Sequence, residues 1–345
     1  MKAQQTLLIA GSGFLSAAVA RWFHRDGWRV QVLTRRPAAV ERPAVPVSWD
    51  GRTRGDWETA LREADVLINF CGQSVNCRYH AANRRAILES RVQPTRLLGE
   101  ALADCPTPPR VWLNAASATI YRHAEDRGMS EAEGELGAGF SVDVCRAWEE
   151  EARRWRRAET RQVLLRTSMV LGHGANSVYP VLARLARLGL AGTMGHGSQF
   201  ISWIHQEDFC RVVAFLVSGD LEGPVNVTAP EPVTNRFFMQ ALRTSLGRQL
   251  GLPATRWMLE CGAVFLRTET ELVLKSRRII PRRLRNAGFT WRFSTAPSAL
   301  EDLAKRQKCL CHLAADLGAR GMRKHGSPGE YLAQNLSRSG LQTVR

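Results

Sequence analysis

The chain has 345 residues, 44% apolar and 23% charged, with 48 basic against 32 acidic side chains and a net charge of +16. That composition excludes a disordered or collagen-like chain, and no run approaches the ~20 apolar residues of a membrane-spanning helix. Lys2, Lys275, Lys305, Lys308 and Lys324 are the only lysines, so the charge is an arginine excess spread along the chain, not one basic face beside exposed aromatics. Nucleic acid is therefore not an expected partner.

The opening MKAQQTLLIAGSGF has too few apolar residues before its glycine turn for a signal-peptide core, so a cytoplasmic location is expected. Cysteines 71, 77, 105, 145, 210, 261, 309 and 311 are scattered, and free thiols are expected in a reducing compartment. Only Cys309-Leu-Cys311-His312 groups cysteines with a histidine; lacking a second ligand pair, it predicts no metal site.

In chain order, Thr6–Ala10, Val30–Leu33, Val66–Phe70, Val111–Ala115 and Val163–Arg166 are dense in Val, Ile and Leu, as buried parallel strands are. Helical patterns lie between them, among them Leu15–Arg25 and Arg84–Ala103, the latter with Ile87, Val92, Leu97, Leu98 and Ala101 on one face. Such alternation predicts an α/β fold with a doubly wound parallel Rossmann sheet. Phe200–Ile204 reads as a strand, Asp208–Val217 as a helix and Val225–Val227 as a further strand. Residues 234–304 read as helix-rich, and the glycine-punctuated, basic segment 305–345 as a loosely ordered tail.

The first strand runs into Gly11-Ser12-Gly13-Phe14-Leu15-Ser16 and then an apolar helix. A turn that brings backbone close to a pyrophosphate needs residues without Cβ, and a helix N-terminus offers free N–H groups to the anion. After the second strand, where NAD enzymes carry an acidic residue for the ribose hydroxyls, this chain has Thr34-Arg35-Arg36. Two guanidinium groups suit a 2′-phosphate, which makes NADP(H) the expected cofactor.

Asn69-Phe-Cys-Gly72, Ser90-Arg-Val92 and Ser117-Ala-Thr-Ile-Tyr121 resemble the extended short-chain dehydrogenase/reductases. Trp148-Glu149, Arg166–Gly172, Gly197–His205 with Asp208, Val225–Pro230, Glu271-Leu-Val-Leu and Ala287-Gly288-Phe289 are similar to the epimerase family in particular, a nucleoside-diphosphate-sugar epimerase-like group with its own C-terminal domain. The likeness covers about residues 5–304. It implies a Rossmann domain of about seven strands, residues 1–172 plus about 201–228. A smaller substrate domain would comprise 173–200 and 229–304.

Carried onto this sequence, the resemblance implies that Gly11, Ser12, Gly13, Phe14 and Leu15 form the pyrophosphate turn. Cys71, Gly72, Gln73, Ala115 and Ala116 would line the cofactor, with Thr167 and Ser168 near the nicotinamide. Ser117 aligns with the catalytic hydroxyl, and Tyr121 is the nearest candidate proton donor. Two departures stand out. Ala10 and Ser16 replace the outer glycines of the turn. The Tyr-x-x-x-Lys pair that family members place ~25 residues after the hydroxyl is missing from Phe140-Ser-Val-Asp-Val-Cys-Arg-Ala-Trp148. Arg146, close to the missing lysine, offers ribose contacts and charge but cannot act as an acid or base. His205 reads as a structural histidine. Tyr79 and His80 lie where a loop reaches the site mouth, either contacting substrate or simply exposed, and Lys275–Arg292 is either a site for an acidic substrate group or a solvated face.

The expected function is that of an NADP(H)-binding epimerase- or reductase-like protein acting on a small, sugar-like or anionic carbonyl or hydroxyl substrate. Its rival is a non-catalytic NADP(H)-binding regulator resembling the cell-division-inhibitor members of the family. Oligomeric state is left open.

Overall fold

The computed structural model describes residues 4–174, 177–255, 257–258 and 274–321, with backbone alone for Lys308 and residues 310–321. Strand β1 (Thr6–Ala10) is buried at every position and leads through the glycine turn into α1 (Phe14–Arg25). There follow β2 (Arg29–Thr34), β3 (Val45–Ser48), α2 (Glu58–Arg62), β4 (Val66–Asn69), α3 (Ala81–Ala103), β5 (Val111–Ser117), α4 (Phe140–Arg154) and β6 (Arg161–Thr167). The second half contains β7 (Met169–Leu171), α5 (Val178–Arg187), β8 (Phe200–Ile201), β9 (Trp203–His205), α6 (Gln206–Ser218), β10 (Gly223–Val227), β11 (Val233–Thr234), α7 (Asn235–Ser245), α8 (Arg282–Asn286) and α9 (Ala296–Gly321).

Seven strands form one parallel sheet in the order β10-β6-β5-β4-β1-β2-β3. Strand order reverses on the two sides of β1, so a crevice opens at the carboxyl ends of β1 and β4, the switch point at which such sheets bind ligands. Two cores pack the faces of the sheet, one around Ile9, Val19, Phe23 and Phe209, the other around Leu8, Trp57, Leu98 and Trp112. A separate core joins α5, α7 and the start of α9 through Tyr179, Ala183, Phe238, Leu242 and Leu300.

The sequence pattern misses β3. Its side chains are mostly exposed and it carries Pro46, which a sheet tolerates at its edge but not in its middle. The expected Phe200–Ile204 strand breaks at Ser202, whose Oγ donates to Arg277 O and accepts from Ile279 N. Phe200–Ile201 pairs with β11, while Trp203–His205 pairs with β7. The expected loose tail is corrected over residues 305–321, which continue α9. Arg306 bonds Asp302 at 2.6 Å and Glu207 at 2.9 Å, and Arg187 bonds Gln307, so the helix is tied down beyond residue 304. The remainder of that expected tail, 322–345, lies outside the described residues. No described helix is long and apolar enough to cross a membrane.

Candidate functional site

Gly11 turns the chain out of β1 with φ +98°, and a Cβ there would lie 3.3 Å from the Phe70 carbonyl group, so both conformation and space require glycine. Its N–H is held by Leu33 O at 2.9 Å, which fixes the turn against β2. At Gly13, the N-cap of α1, an added Cβ would meet nothing within 4 Å. The space above it is open to a ligand. The first turn of α1 has unbonded N–H groups and no acidic side chain, an anion-ready end. Together these observations fit a dinucleotide's pyrophosphate, with Phe14 and Leu15 contributing backbone. The Phe14 side chain turns elsewhere: a Cβ on Gly172 or Gly174 would strike its ring at 2.6 or 2.0 Å. Ser16, in the third glycine slot, is 2% exposed and buries its hydroxyl beneath the turn.

At the end of β2, Thr34 Oγ1 donates to Ser12 Oγ at 2.9 Å and accepts from Arg36 N at 3.0 Å. Thr34 thus joins the two cofactor loops, a role the sequence did not single out. Arg35 and Arg36 are exposed beside it. The Arg35 charge also acts on the Cys71 thiol, which burial nonetheless pushes up to about 12.

The floor of the crevice is a buried polar network. Asn69 Nδ2 donates to Thr95 Oγ1 at 2.9 Å and Asn114 Oδ1 at 2.8 Å, and Trp148 Nε1 donates to the same Thr95 oxygen at 3.0 Å. Asn69 Oδ1 accepts from Cys71 N, so the network sets the loop leaving β4. Gly72 and Gln73 are exposed there, and a Cβ on Gly72 would come within 3.2 Å of Arg91 Cζ. Arg91 spans the loop base, with Nη1 on Ile87 O at 2.9 Å and Nη2 on Gln73 O at 3.1 Å, and its guanidinium lies 5.2 Å from the Trp148 ring centre.

Strand β5 ends in the site. Ala115 and Ser117 are half-buried, whereas Ala116 faces the opposite side and packs on Ala152 and Leu164, away from the crevice. The alternation of a strand dictates this, and it corrects the assignment of Ala116 to the cofactor. Ser117 Oγ lies 3.0 Å from Thr119 Oγ1 and is hydrogen-bonded to the Cys145 side chain on α4. Burial pushes the Cys145 thiol up to about 11, opposed by the Arg91 and Arg277 charges. The Arg91 and Arg277 charges thus act on the thiol that neighbours Ser117. Sequence reasoning had missed this grouping, although Arg91 belongs to the Ser90-Arg-Val92 signature.

Tyr121 is the main correction. It is 0% exposed, its hydroxyl donating to Asn226 Oδ1 at 2.9 Å and accepting from Arg166 Nη1 at 2.8 Å. Burial pushes the phenol up. Arg166 in turn holds Glu149 through Nε at 2.7 Å and Nη2 at 2.8 Å; burial disfavours the charged guanidinium, but its bonds and charge interactions with Glu149 and Tyr121 outweigh this and raise its pKa. Tyr121 belongs to this core ion pair and cannot protonate a substrate in the crevice.

The remaining candidates divide. Thr167 and Ser168 are half-buried at the end of β6 and spend their hydroxyls on Leu165 O and Val227 O. Arg146 is exposed and bonds Gly137 O at 3.1 Å, so it braces the segment before α4. His205 caps α6, accepting from Glu207 N at 3.1 Å, and its Nε2 lies 3.3 Å from Asp302 Oδ2. Asp208, fully buried, accepts from the backbone N–H groups of Arg292 and Phe293, so this signature ties the C-terminal segment to α6.

In the 275–292 segment several arginines are engaged by the protein itself, although Arg282, Arg285 and Arg292 remain exposed. Arg278 covers Phe200 and bonds the carbonyls of Glu125 and Asp126, Arg282 pairs with Glu133, Arg283 bonds Pro224 O, and Arg292 pairs with Glu207. Tyr79 is half-buried with its ring 5.0 Å from that of Phe140, while His80 caps α3. No group of three or more metal-ligating side chains occurs among the described residues. Cys309 is exposed, and the side chains of Cys311 and His312 lie outside the described set.

An anion cradle at the switch point, arginines after the second strand and a serine at the end of β5 are the arrangement of an extended short-chain dehydrogenase/reductase. The comparisons narrow this further. Residues 7–227 match the model of the NAD dependent epimerase/dehydratase family, and 254–303 match a domain of unknown function. The chain belongs to that epimerase/dehydratase family. It is similar to an epimerase family protein of Mycobacterium bovis, 33% identical over 306 residues, covering 86% of this chain and 97% of the relative. The human epimerase family protein SDR39U1 is 27% identical over 303 residues, covering 87% and 99%. The crystal structure of human SDR39U1 with NADPH superposes with a TM-score of 0.77 at 26% identity, covering 87% of this chain and 99% of that one. A nucleoside-diphosphate sugar epimerase of Corynebacterium glutamicum superposes with a TM-score of 0.70 at 26% identity, over 88% of this chain and 58% of that one.

Proposed function

We propose that the chain is an NADP(H)-dependent reductase- or epimerase-like enzyme that moves a hydride between the nicotinamide and the carbonyl or carbinol carbon of a small substrate. The observation that carries this reading is the Ser117 hydroxyl, half-buried at the end of β5 beside Cys145, in the crevice headed by the glycine turn. NADP(H) is supported by the exposed Arg35 and Arg36 just after β2. The NADPH present in the human relative's structure agrees with this choice. Bound there, the cofactor supplies hydride. The chain's own part is to hold its phosphates at α1, fix its 2′-phosphate with Arg35 and Arg36, and place the substrate oxygen on Ser117. The Arg91 and Arg277 charges near Cys145 favour a sugar-like or anionic substrate.

A soluble domain of 1–172 plus about 201–228 carrying the cofactor, with 173–200 and 229–304 over the substrate, is the organisation this reading uses, in the cytoplasm. The rival reading, a non-catalytic NADP(H)-binding regulator, draws on the α4 window Phe140–Trp148, which has no tyrosine or lysine. NADPH added to the protein raises its melting temperature under both readings. Oxidation of NADPH against a carbonyl panel, slowed ~100-fold or more in Ser117→Ala, supports the enzyme. Tight NADPH binding with unchanging absorbance across the panel supports the regulator.

A further inference from the structure

Reduction of a carbonyl needs a proton as well as a hydride, and the proton source is the part of the site that α4 fails to supply. Three tyrosines are described. Tyr121 is locked in the core between Asn226 and Arg166. Tyr179 is 0% exposed on α5, with its ring 5.2 Å from that of His173, in the core of the helical lobe. Tyr79 alone stands at the crevice, on the loop that leaves β4, where open α/β sheets receive their ligands.

Its surroundings link it to α4, the helix whose Cys145 neighbours Ser117. The Tyr79 ring packs edge-on against Phe140, the first residue of α4, at 5.0 Å. Cys145, five residues further along that helix, hydrogen-bonds Ser117. Arg91 closes the circle, since its guanidinium interacts electrostatically with both the Cys145 thiol and the Tyr79 phenol. Arg91 is anchored by two backbone carbonyls and one aromatic face, so its charge is fixed in place.

Resting on the hydride-transfer reading above, we propose that Tyr79 is the catalytic proton donor of this site and that Arg91 is the positioning residue that stabilises its phenolate. Phenol and cation thus come from the β4–α3 side of the crevice, in place of a tyrosine and lysine on α4. In the reducing direction, hydride leaves NADPH for the carbonyl carbon and yields NADP⁺. The Tyr79 O–H bond breaks as the substrate oxygen takes its proton, and the phenolate regains a proton from water. Arginine suits the supporting role because it stays charged at every working pH and stabilises a neighbouring anion. Among the described residues, the other charged or titratable groups on this side are Arg78 and His80 beside it in sequence, Arg84 over the Phe140 ring at 4.9 Å, and Cys145 on α4, on which the Arg277 charge also acts.

The test uses the full chain saturated with NADPH and the same carbonyl panel. Tyr79→Phe is expected to lower kcat about 100-fold or more, the usual worth of a general acid, with NADPH affinity unchanged by thermal shift. Arg91→Met is expected to move the alkaline limb of the kcat profile to higher pH, and Arg91→Lys to restore it. That movement distinguishes an electrostatic partner from a merely structural arginine. Wild-type turnover by Tyr79→Phe, or an alkaline limb that Arg91→Met leaves in place, overturns the proposal while hydride transfer stands. No turnover by the wild type on any carbonyl, with NADPH bound, overturns both.

Discussion

Glu149 is the carboxylate of the buried pair that holds Arg166 and, through it, Tyr121. It is 1% exposed and grips Arg166 through two hydrogen bonds of 2.7 and 2.8 Å, while Arg166 also donates to the Tyr121 hydroxyl. Glu149→Leu leaves that guanidinium, whose side chain is 7% exposed, without a carboxylate. Stranding one partner of a buried pair costs about 3–5 kcal/mol, a large share of the ~5–15 kcal/mol that holds a typical domain folded. With a urea slope of ~3 kcal/mol/M, the unfolding midpoint falls by about 1–2 M. The second carboxylate partner, Arg153 at 2.6 Å, is 45% exposed and adds little. Adding Arg166→Met removes the stranded charge, so the double variant is expected to recover most of the loss, as apolar replacements of buried pairs commonly do. The assay is urea unfolding followed by tryptophan fluorescence for the wild type, both single variants and the double. A single variant within ~1 kcal/mol of wild type, or a double variant no better than Glu149→Leu, refutes the reasoning.

Replacing both Arg35 and Arg36 by Ala is expected to weaken NADPH by about 10- to 100-fold, the worth of charge-assisted hydrogen bonds of about 1.5–3 kcal/mol, and to leave NADH nearly unchanged in calorimetry. Equal losses for both coenzymes would falsify the 2′-phosphate assignment. Gly174→Ala drives a Cβ to 2.0 Å from Phe14 Cδ2, so the ring that opens α1 must move. A stability loss of about 1–3 kcal/mol and weaker NADPH binding are expected together; unchanged NADPH affinity would show that the turn does not lean on β7's exit loop. Burial raises the Asp302 carboxyl, but His205 and Arg306 outweigh it and hold the group below its ordinary value of 3.8. A carboxyl held low stabilises the folded state above that value and loses the contribution as pH falls through its folded value. Asp302→Asn is therefore expected to be less stable at neutral pH and to show a shallower loss of stability below about pH 4. A wild-type acid profile in that variant counts against the His205–Asp302–Arg306 tie.

Much of the fold was legible because buried parallel strands announce themselves as continuous apolar runs. β1, β4 and β5 read that way, and the glycine turn was plain because Gly11 adopts a φ that other residues rarely reach. β3 escaped notice because an edge strand with exposed side chains and a proline has no such pattern. In the site, the turn and the two arginines were visible as short motifs. Tyr121 misled because proximity to Ser117 in sequence says nothing about which way a side chain faces. Its partners Arg166 and Asn226 lie 45 and 105 residues away.

The order of neighbouring residues was sufficient to specify the parallel sheet, the phosphate-ready turn and the loss of the usual tyrosine and lysine from α4. Each of these is a property of local periodicity or local stereochemistry, written within a dozen residues. Three-dimensional packing alone decided that Tyr121 is core, that Thr34 bridges to Ser12, and that Cys145 sits beside Ser117 under the charges of Arg91 and Arg277. Those pairings join distant parts of the chain, and the stacking of helices on the sheet sets which of them come within reach.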